Sequence, residues 1–113
     1  MEKTSIFYLI FILTIIAVRT AVFLFPDNKF RISGIIVHHF WIGVILVGIA
    51  LLLGSFGYRW ILLALGLALV ADELVYMLLG AGPVANYWNI YSVSGAILDS
   101  FIVFMIRAKL ANI

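Results

Sequence analysis

Apolar residues form four long runs, which are separated by short polar or glycine- and proline-rich segments. The runs cover approximately residues 5–25, 33–54, 59–79 and 89–107. A helix needs about 20 predominantly apolar residues to cross a bilayer, and each run approaches or exceeds this length. Backbone polar groups inside a bilayer must be satisfied within the protein, so the runs are expected to be helices. The pattern predicts an all-α integral membrane protein with a single domain, a bundle of four transmembrane helices.

Local signals mark the ends of these runs. Pro26 follows the first run, and proline disfavours helix in the residue before it. The first run is longer than a signal-peptide core and contains Arg19, so it is predicted to be a retained span. Ser33 is a candidate N-cap for the second helix.

Composition and charge agree with a membrane location. The chain is 66% hydrophobic and only 11% charged, which leaves too little polar surface for a water-soluble domain. The net charge of +2 is small and indicates no nucleic-acid partner. Basic residues favour the side of the membrane that holds both termini, which predicts that both termini are cytoplasmic. That side carries Lys3, Arg59, Arg107 and Lys109, and the other carries Lys29 and Arg31.

Ionisable residues interrupt the apolar runs at a few positions. The pair His38-His39 lies in the second run, and the pair Asp72-Glu73 lies in the third. Ionisable side chains are costly in hydrocarbon and usually face the bundle interior, where they mark function. Arg19 in the first run and Asp99 in the fourth extend the set, so a functional site is sought among these residues.

Helical arithmetic places all of these polar residues at one depth. Adjacent spans run in opposite directions, and each polar residue is about five to seven residues from the same face of the bundle when the fourth span is counted from about Ser92. At 1.5 Å per residue they lie roughly 8–11 Å beneath that face. His39 shares a helix face with Gly43, and small residues let membrane helices approach closely. The polar residues are therefore expected to converge.

Histidine together with carboxylate suggests a site for zinc, iron or manganese. Three acids with one arginine leave a charge of about −2, which one divalent ion would neutralise. The function predicted is a cation-binding membrane protein that handles or transports a metal ion. A bundle this small leaves little room for a pore, so a homo-oligomer is expected. The candidate ligands are His38, His39, Asp72, Glu73 and Asp99, and the candidate supporting residues are Arg19 and Tyr76.

Other interpretations of the same residues stay open. The cluster can be a structural polar network that satisfies itself without chemistry, or a path for protons or ions. The chain can also be a membrane-embedded, metal-dependent hydrolase of a lipid-like substrate, with Glu73 as general base. A further class is a structural or assembly subunit of a larger complex.

Part of the chain resembles a group of small polytopic membrane proteins from archaea and bacteria. They share a His-His-x-x-x-Gly span, an Asp-Glu span and a Tyr-Trp loop. In this chain the pattern corresponds to His38 through Gly43, Asp72-Glu73, Tyr87-Trp88 and Ser92, and it covers roughly residues 37–92. The resemblance implies that these residues form one motif, and it implies no activity. Arg19 and Asp99 lie outside the pattern.

Overall fold

A computed structural model describes residues 2–25, 31–33, 35–54, 57–80 and 84–113. The fold is all-α, as predicted, and its only strands among these residues are a two-residue antiparallel pair. In chain order the elements are α1 (Lys3–Leu24), β1 (Arg31–Ile32), β2 (Ile35–Ile36), α2 (His39–Leu52), α3 (Arg59–Leu78), α4 (Val84–Tyr87) and α5 (Ile90–Ala111).

Three of these helices, α1, α3 and α5, are long and apolar enough to cross a membrane. They contain 22, 20 and 22 residues, which corresponds to about 30–33 Å of helix. The hydrocarbon core of a bilayer is about 30 Å thick, so each can span it. The chain therefore has the helices of an integral membrane protein.

The second helix of the bundle is shorter than the sequence predicts. α2 contains 14 residues, or about 21 Å of helix, and it begins at His39 rather than near residue 33. Ser33 is not its N-cap: it lies in the turn between β1 and β2 with a φ of 52°, and His38 is the N-cap. The prediction for Ser33 was wrong because residues 35–36 pair with residues 31–32 and are not available to the helix.

Helix α3 lies at the centre of the bundle and packs against α1, α2 and α5. Its inward positions are mostly small, which lets three helices surround it. α1 buries Phe7 and Phe11 completely in the shared core, and the Tyr8 hydroxyl donates to the Ser100 carbonyl of α5 at 3.0 Å. The buried residues of α3 are Leu63, Ala64, Gly66, Ala68, Ala71, Asp72, Glu73 and Tyr76.

Glycines set the closest approaches to α3. A Cβ added to Gly43 of α2 would lie 2.7 Å from the Gly66 carbonyl oxygen of α3. A Cβ added to Gly66 would lie 2.9 Å from the Gly43 carbonyl oxygen. On the other side of α3, a Cβ at Gly95 of α5 would overlap the Val75 side chain. The backbones of α2 and α5 therefore rest directly on α3, which brings their polar residues close to Asp72 and Glu73.

Candidate functional site

Asp72 is at the centre of the polar residues and is only 1% exposed. Its Oδ1 accepts a hydrogen bond from Arg19 Nε at 2.7 Å. Its Oδ2 accepts a hydrogen bond from the Tyr87 hydroxyl and lies 2.7 Å from His39 Nε2. A buried carboxylate is tolerated when it is paired and hydrogen-bonded, and Asp72 meets both conditions.

Glu73, which is 3% exposed, closes the start of α2. The N-cap residue His38 makes no side-chain hydrogen bond to the helix. Instead, Glu73 Oε1 accepts the backbone N–H of Phe40 at 2.9 Å. The first N–H groups of a helix lack partners within the helix and carry partial positive charge, so a carboxylate stabilises them. Glu73 of α3 therefore fixes both the position of α2 and the direction of its first turn.

His39 lies between the two carboxylates. Its Nε2 is 2.7 Å from Asp72 Oδ2, and its Nδ1 is 3.0 Å from Glu73 Oε1. Only the doubly protonated ring donates from both nitrogens. In that form His39 and Arg19 supply two positive charges against the two negative charges of Asp72 and Glu73. In that form the four side chains have no net charge, so no divalent ion is required to neutralise them.

His38 is the second histidine of the pair and takes part less directly. Its Nδ1 is 3.6 Å from Glu73 Oε2, which is longer than a hydrogen bond. Its side chain is 23% exposed, against 4% for that of Glu73. His38 also packs edge-on against the ring of Tyr76, with centroids 5.9 Å apart. It is the cluster's outer member, at the boundary between the buried carboxylates and the surface.

Arg19 ties α1 to the rest of the site. Its Nη1 donates to the Tyr87 carbonyl at 2.8 Å, and its Nη2 donates to the Asp72 carbonyl at 3.0 Å and reaches the Ser92 hydroxyl at 3.5 Å. The guanidinium also lies 4.0 Å from the centroid of the Tyr87 ring and 5.2 Å from that of Trp88. Arginine suits this role because its planar group donates in several fixed directions and stacks on aromatic rings.

Tyr87 of α4 packs against the side chains around Asp72 and is 3% exposed. Burial and the neighbouring Asp72 carboxylate raise the pKa of the Tyr87 phenol well above its usual value of 10.0. The hydroxyl therefore stays protonated and continues to donate to Asp72. Its ring packs edge-on against those of His39 and Tyr76, with centroids 6.0 and 5.6 Å apart.

The polar cluster, as the name is used below, comprises Arg19, His38, His39, Asp72, Glu73, Tyr87 and Ser92. The structure thus brings together five of the seven residues selected from the sequence, and it places a sixth, Tyr76, beside them. The predicted convergence is confirmed for Arg19, His38, His39, Asp72 and Glu73 and does not hold for Asp99. The cluster lies near the ends of α1 and α3 and at the starts of α2 and α5.

Asp99 is the residue that the structure does not bring to the cluster. The contact from α5 comes instead from the buried Ser92, which shares a helix face with Asp99 at a spacing of seven residues. α5 begins at Ile90, so Ser92 lies at the level of Arg19 and Asp99 lies about two turns deeper. Ser92 and Tyr87 were missing from the candidates, although the pattern of the resemblance includes both.

Among the described residues, no group of three or more histidine, aspartate or glutamate side chains is arranged to hold a metal ion. The predicted zinc, iron or manganese site stays a prediction. Comparison of the chain with protein-family models, with curated proteins and with solved structures found no match. The function therefore has to be argued from the geometry of the cluster.

Proposed function

We propose that the chain is a proton-handling membrane protein in which His38, Glu73 and His39 exchange protons and Asp72 holds His39 in place. The observation that carries this proposal is the position of His39 between two buried carboxylates, at 2.7 and 3.0 Å. Chains of histidine and acidic residues are the usual components of proton relays in membrane proteins. An imidazole suits such a chain because it can gain a proton at one nitrogen and lose it at the other.

The order of proton transfer is proposed from the contacts of the two histidines. His38 and His39 are similarly exposed, at 23% and 20%, and His38 is taken as the entry point because it has no contact with Asp72. Glu73 Oε2 is 3.6 Å from His38, a separation that a small approach of the ring or a bridging water would close. Glu73 Oε1 then faces His39 Nδ1 at 3.0 Å. The two oxygens of one carboxylate thus connect the two histidines.

Asp72 has a different part in this proposal. Arg19 and Tyr87 both donate to its carboxylate and hold it in one orientation. The fixed charge orients the His39 ring and stabilises the imidazolium, while the exchangeable proton stays on the Glu73 side. A carboxylate that holds a histidine in one orientation has the same effect in many acid–base sites.

A transition-metal site is the second candidate. The observation that favours it is that Nδ1 of both His38 and His39 faces the carboxylate of Glu73, while His39 Nε2 faces Asp72. Metal-bound histidines commonly donate their second nitrogen to a carboxylate in this way. Histidine and glutamate suit zinc or iron, but these side chains would have to move closer together to form a three-ligand site, and such an ion would then replace the exchangeable protons. The protein would then handle or transport that ion.

The proposal also includes the orientation of the chain in the membrane and its oligomeric state. With both termini cytoplasmic, as the basic flanks indicate, the polar cluster opens to the opposite side of the membrane. Protons would then be taken up from that side. A homo-oligomer would provide room for a complete path, because a bundle of this size encloses little space.

The experiment is a proton-flux measurement on purified protein in liposomes that contain a pH-sensitive dye, driven by a potassium diffusion potential. The wild type should acidify or alkalise the lumen according to the sign of the potential. His39→Gln and Glu73→Gln should lower the rate about a hundredfold or more, the range typical of lost acid–base groups. Ser5→Ala, at an exposed position on α1, is the matched control and should behave as wild type.

The same preparation separates the two candidates. Wild-type liposomes that move no more protons than empty ones would overturn the proton proposal. Metal analysis of protein purified without chelator tests the second candidate. About one zinc, iron or manganese per chain, lost in His39→Gln, would favour the metal site.

A further inference from the structure

Asp99 occupies the middle of α5, away from the polar cluster. It lies on the inward face of the helix, because the positions three, four and seven residues before it and four residues after it are buried. In that order, the positions are Ala96, Gly95, Ser92 and Val103. The carboxyl group is thus directed along the seam where α5 packs on α3 and α1.

One oxygen of this carboxyl group, Oδ2, is buried without a hydrogen-bond partner in the part of the chain that the structure describes. Four of the side-chain donors on α1 and α5 are used elsewhere. Arg19 of α1 donates to Asp72, and the Tyr8 hydroxyl donates to the Ser100 carbonyl. On α5 itself, Ser100 and Arg107 donate to backbone carbonyls of their own helix. Asp72 and Glu73 of α3 are acidic, so they cannot supply a counter-charge to Asp99.

An ionised Asp99 would have no counter-charge among the described residues and no donor at its buried Oδ2, and holding that charge within a membrane span would be costly. A neutral carboxylic acid avoids that cost. We infer that Asp99 is a proton-binding site within the membrane, separate from the polar cluster. The ligand is a proton held on the carboxyl group, whereas the carboxylates of Asp72 and Glu73 both accept hydrogen bonds from neighbouring donors.

The position of Asp99 gives this site a role in proton transfer. Ser92, seven residues earlier on the same face, touches Arg19 of the cluster. Asp99 therefore lies about 10 Å deeper along α5. It is the next ionisable group for a proton that leaves the cluster toward the opposite side of the membrane. This role rests on the proposed proton-handling function, whereas the protonated state of Asp99 does not.

Infrared difference spectroscopy of the full-length protein in lipid tests the site. The wild type should show the carbonyl band of a protonated carboxylic acid from about pH 6 to about pH 8, where a solvated aspartate is ionised. The band should shift in D₂O and be absent from Asp99→Asn. Asp72→Asn is the comparison variant and should retain it. Asp99→Asn should also keep the wild-type thermal stability, because it replaces one neutral polar group by another.

The infrared and flux results together distinguish the proton-binding site at Asp99 from its role in proton transfer. A wild-type spectrum identical to that of Asp99→Asn in the acid region would overturn the inference, since Asp99 would then be ionised. If the band is present, flux through Asp99→Asn in the liposome assay should fall at least about tenfold. An Asp99 band together with wild-type flux in Asp99→Asn would overturn the role in transfer. An Asp99 band without any wild-type flux would instead refute the proposed function and leave the proton site standing.

Discussion

Gly43 of α2 lies directly against Gly66 of α3, and this contact controls the distance between the two helices that carry the histidines and the carboxylates. A Cβ on Gly43 would be 2.7 Å from the Gly66 carbonyl oxygen and 2.8 Å from the Leu69 Cβ. Gly43 lies one helical turn after His39, on the same face. The glycine contact therefore sets the geometry of the His39–Asp72 pair as well as the packing of the helices.

Gly43→Ala should force α2 away from α3 and lengthen the contact between His39 and Asp72. Overpacking of this kind typically costs about 1–3 kcal/mol in free energy of unfolding. Thermal unfolding in detergent and the liposome assay should both show a loss. Gly48→Ala is the matched control, because a Cβ there meets nothing within 4 Å. Equal stability of Gly43→Ala and Gly48→Ala would show that the helices are not in backbone contact.

Arg19→Gln should be among the most destabilising substitutions in the chain. It removes the cation from Asp72, whose side chain is fully buried, and leaves an uncompensated charge. Breaking a buried ion pair from one side typically costs about 3–5 kcal/mol. Unfolding measured by denaturant titration should show this loss.

A double-mutant cycle combines Arg19→Gln, Asp72→Asn and the variant that carries both substitutions. If the two residues interact as described, the double variant should be less destabilised than the sum of the single variants. Arg107→Gln is the control, because the Arg107 guanidinium donates at an exposed position to the Phe104 carbonyl. It should change the free energy of unfolding by no more than about 0.5 kcal/mol. Additive effects at Arg19 and Asp72 would contradict the ion pair.

Tyr87 should make the protein sensitive to alkaline pH. Its pKa is raised in the folded state, so the folded state holds this proton more tightly than the unfolded state. The resulting stabilisation is fully present below about pH 10, the usual tyrosine value, and is lost as pH rises above it. Melting temperatures between about pH 8 and about pH 11 should therefore fall more steeply in wild type than in Tyr87→Phe.

The exposed Tyr91, on the first turn of α5, supplies the control for this comparison. Tyr91→Phe should retain the steep alkaline decline of the wild type. A Tyr87→Phe variant whose melting temperature follows the wild-type pH profile would rule out a buried, hydrogen-bonded Tyr87 hydroxyl.

The arrangement of the helices in the membrane can be tested with single cysteines. Ser5→Cys on α1 and Asn112→Cys after α5 are at exposed positions and should react with a membrane-impermeant thiol reagent from the same side. Ser33→Cys, exposed in the turn between β1 and β2, should react from the other side. Labelling of positions 5 and 112 from opposite sides would contradict the bundle as oriented here.

The convergence of Arg19, His39, Asp72 and Glu73 could be predicted because it depends only on helix direction and rise per residue. These two quantities follow from the apolar runs and from alternation of spans. The start of α2 could not be predicted in the same way. The residues before His39 are apolar enough to continue a helix, and their pairing as β1 and β2 depends on contacts between strands rather than on local pattern.

Asp99 and Ser92 show a second limit of sequence reasoning. They lie seven residues apart and so share a face of α5, and periodicity alone does not decide which of them faces Arg19. The decision depends on where α5 begins, and a helix start is difficult to place from sequence. Tyr87 was not among the candidate site residues because no periodic pattern in residues 84–91 indicates which of their side chains contact the bundle.

The central claim is that His39 lies between the two carboxylates with one ring nitrogen facing each, and nitrogen NMR of the histidine rings in selectively labelled protein tests it most directly. With His39 protonated, both ring N–H signals should be present and shifted by hydrogen bonding. The Nδ1–H signal should move in Glu73→Gln, and the Nε2–H signal should move in Asp72→Asn, since each nitrogen faces one carboxylate. Signals of His39 that are unaffected by either substitution, or that show one nitrogen without a hydrogen bond, would contradict the account.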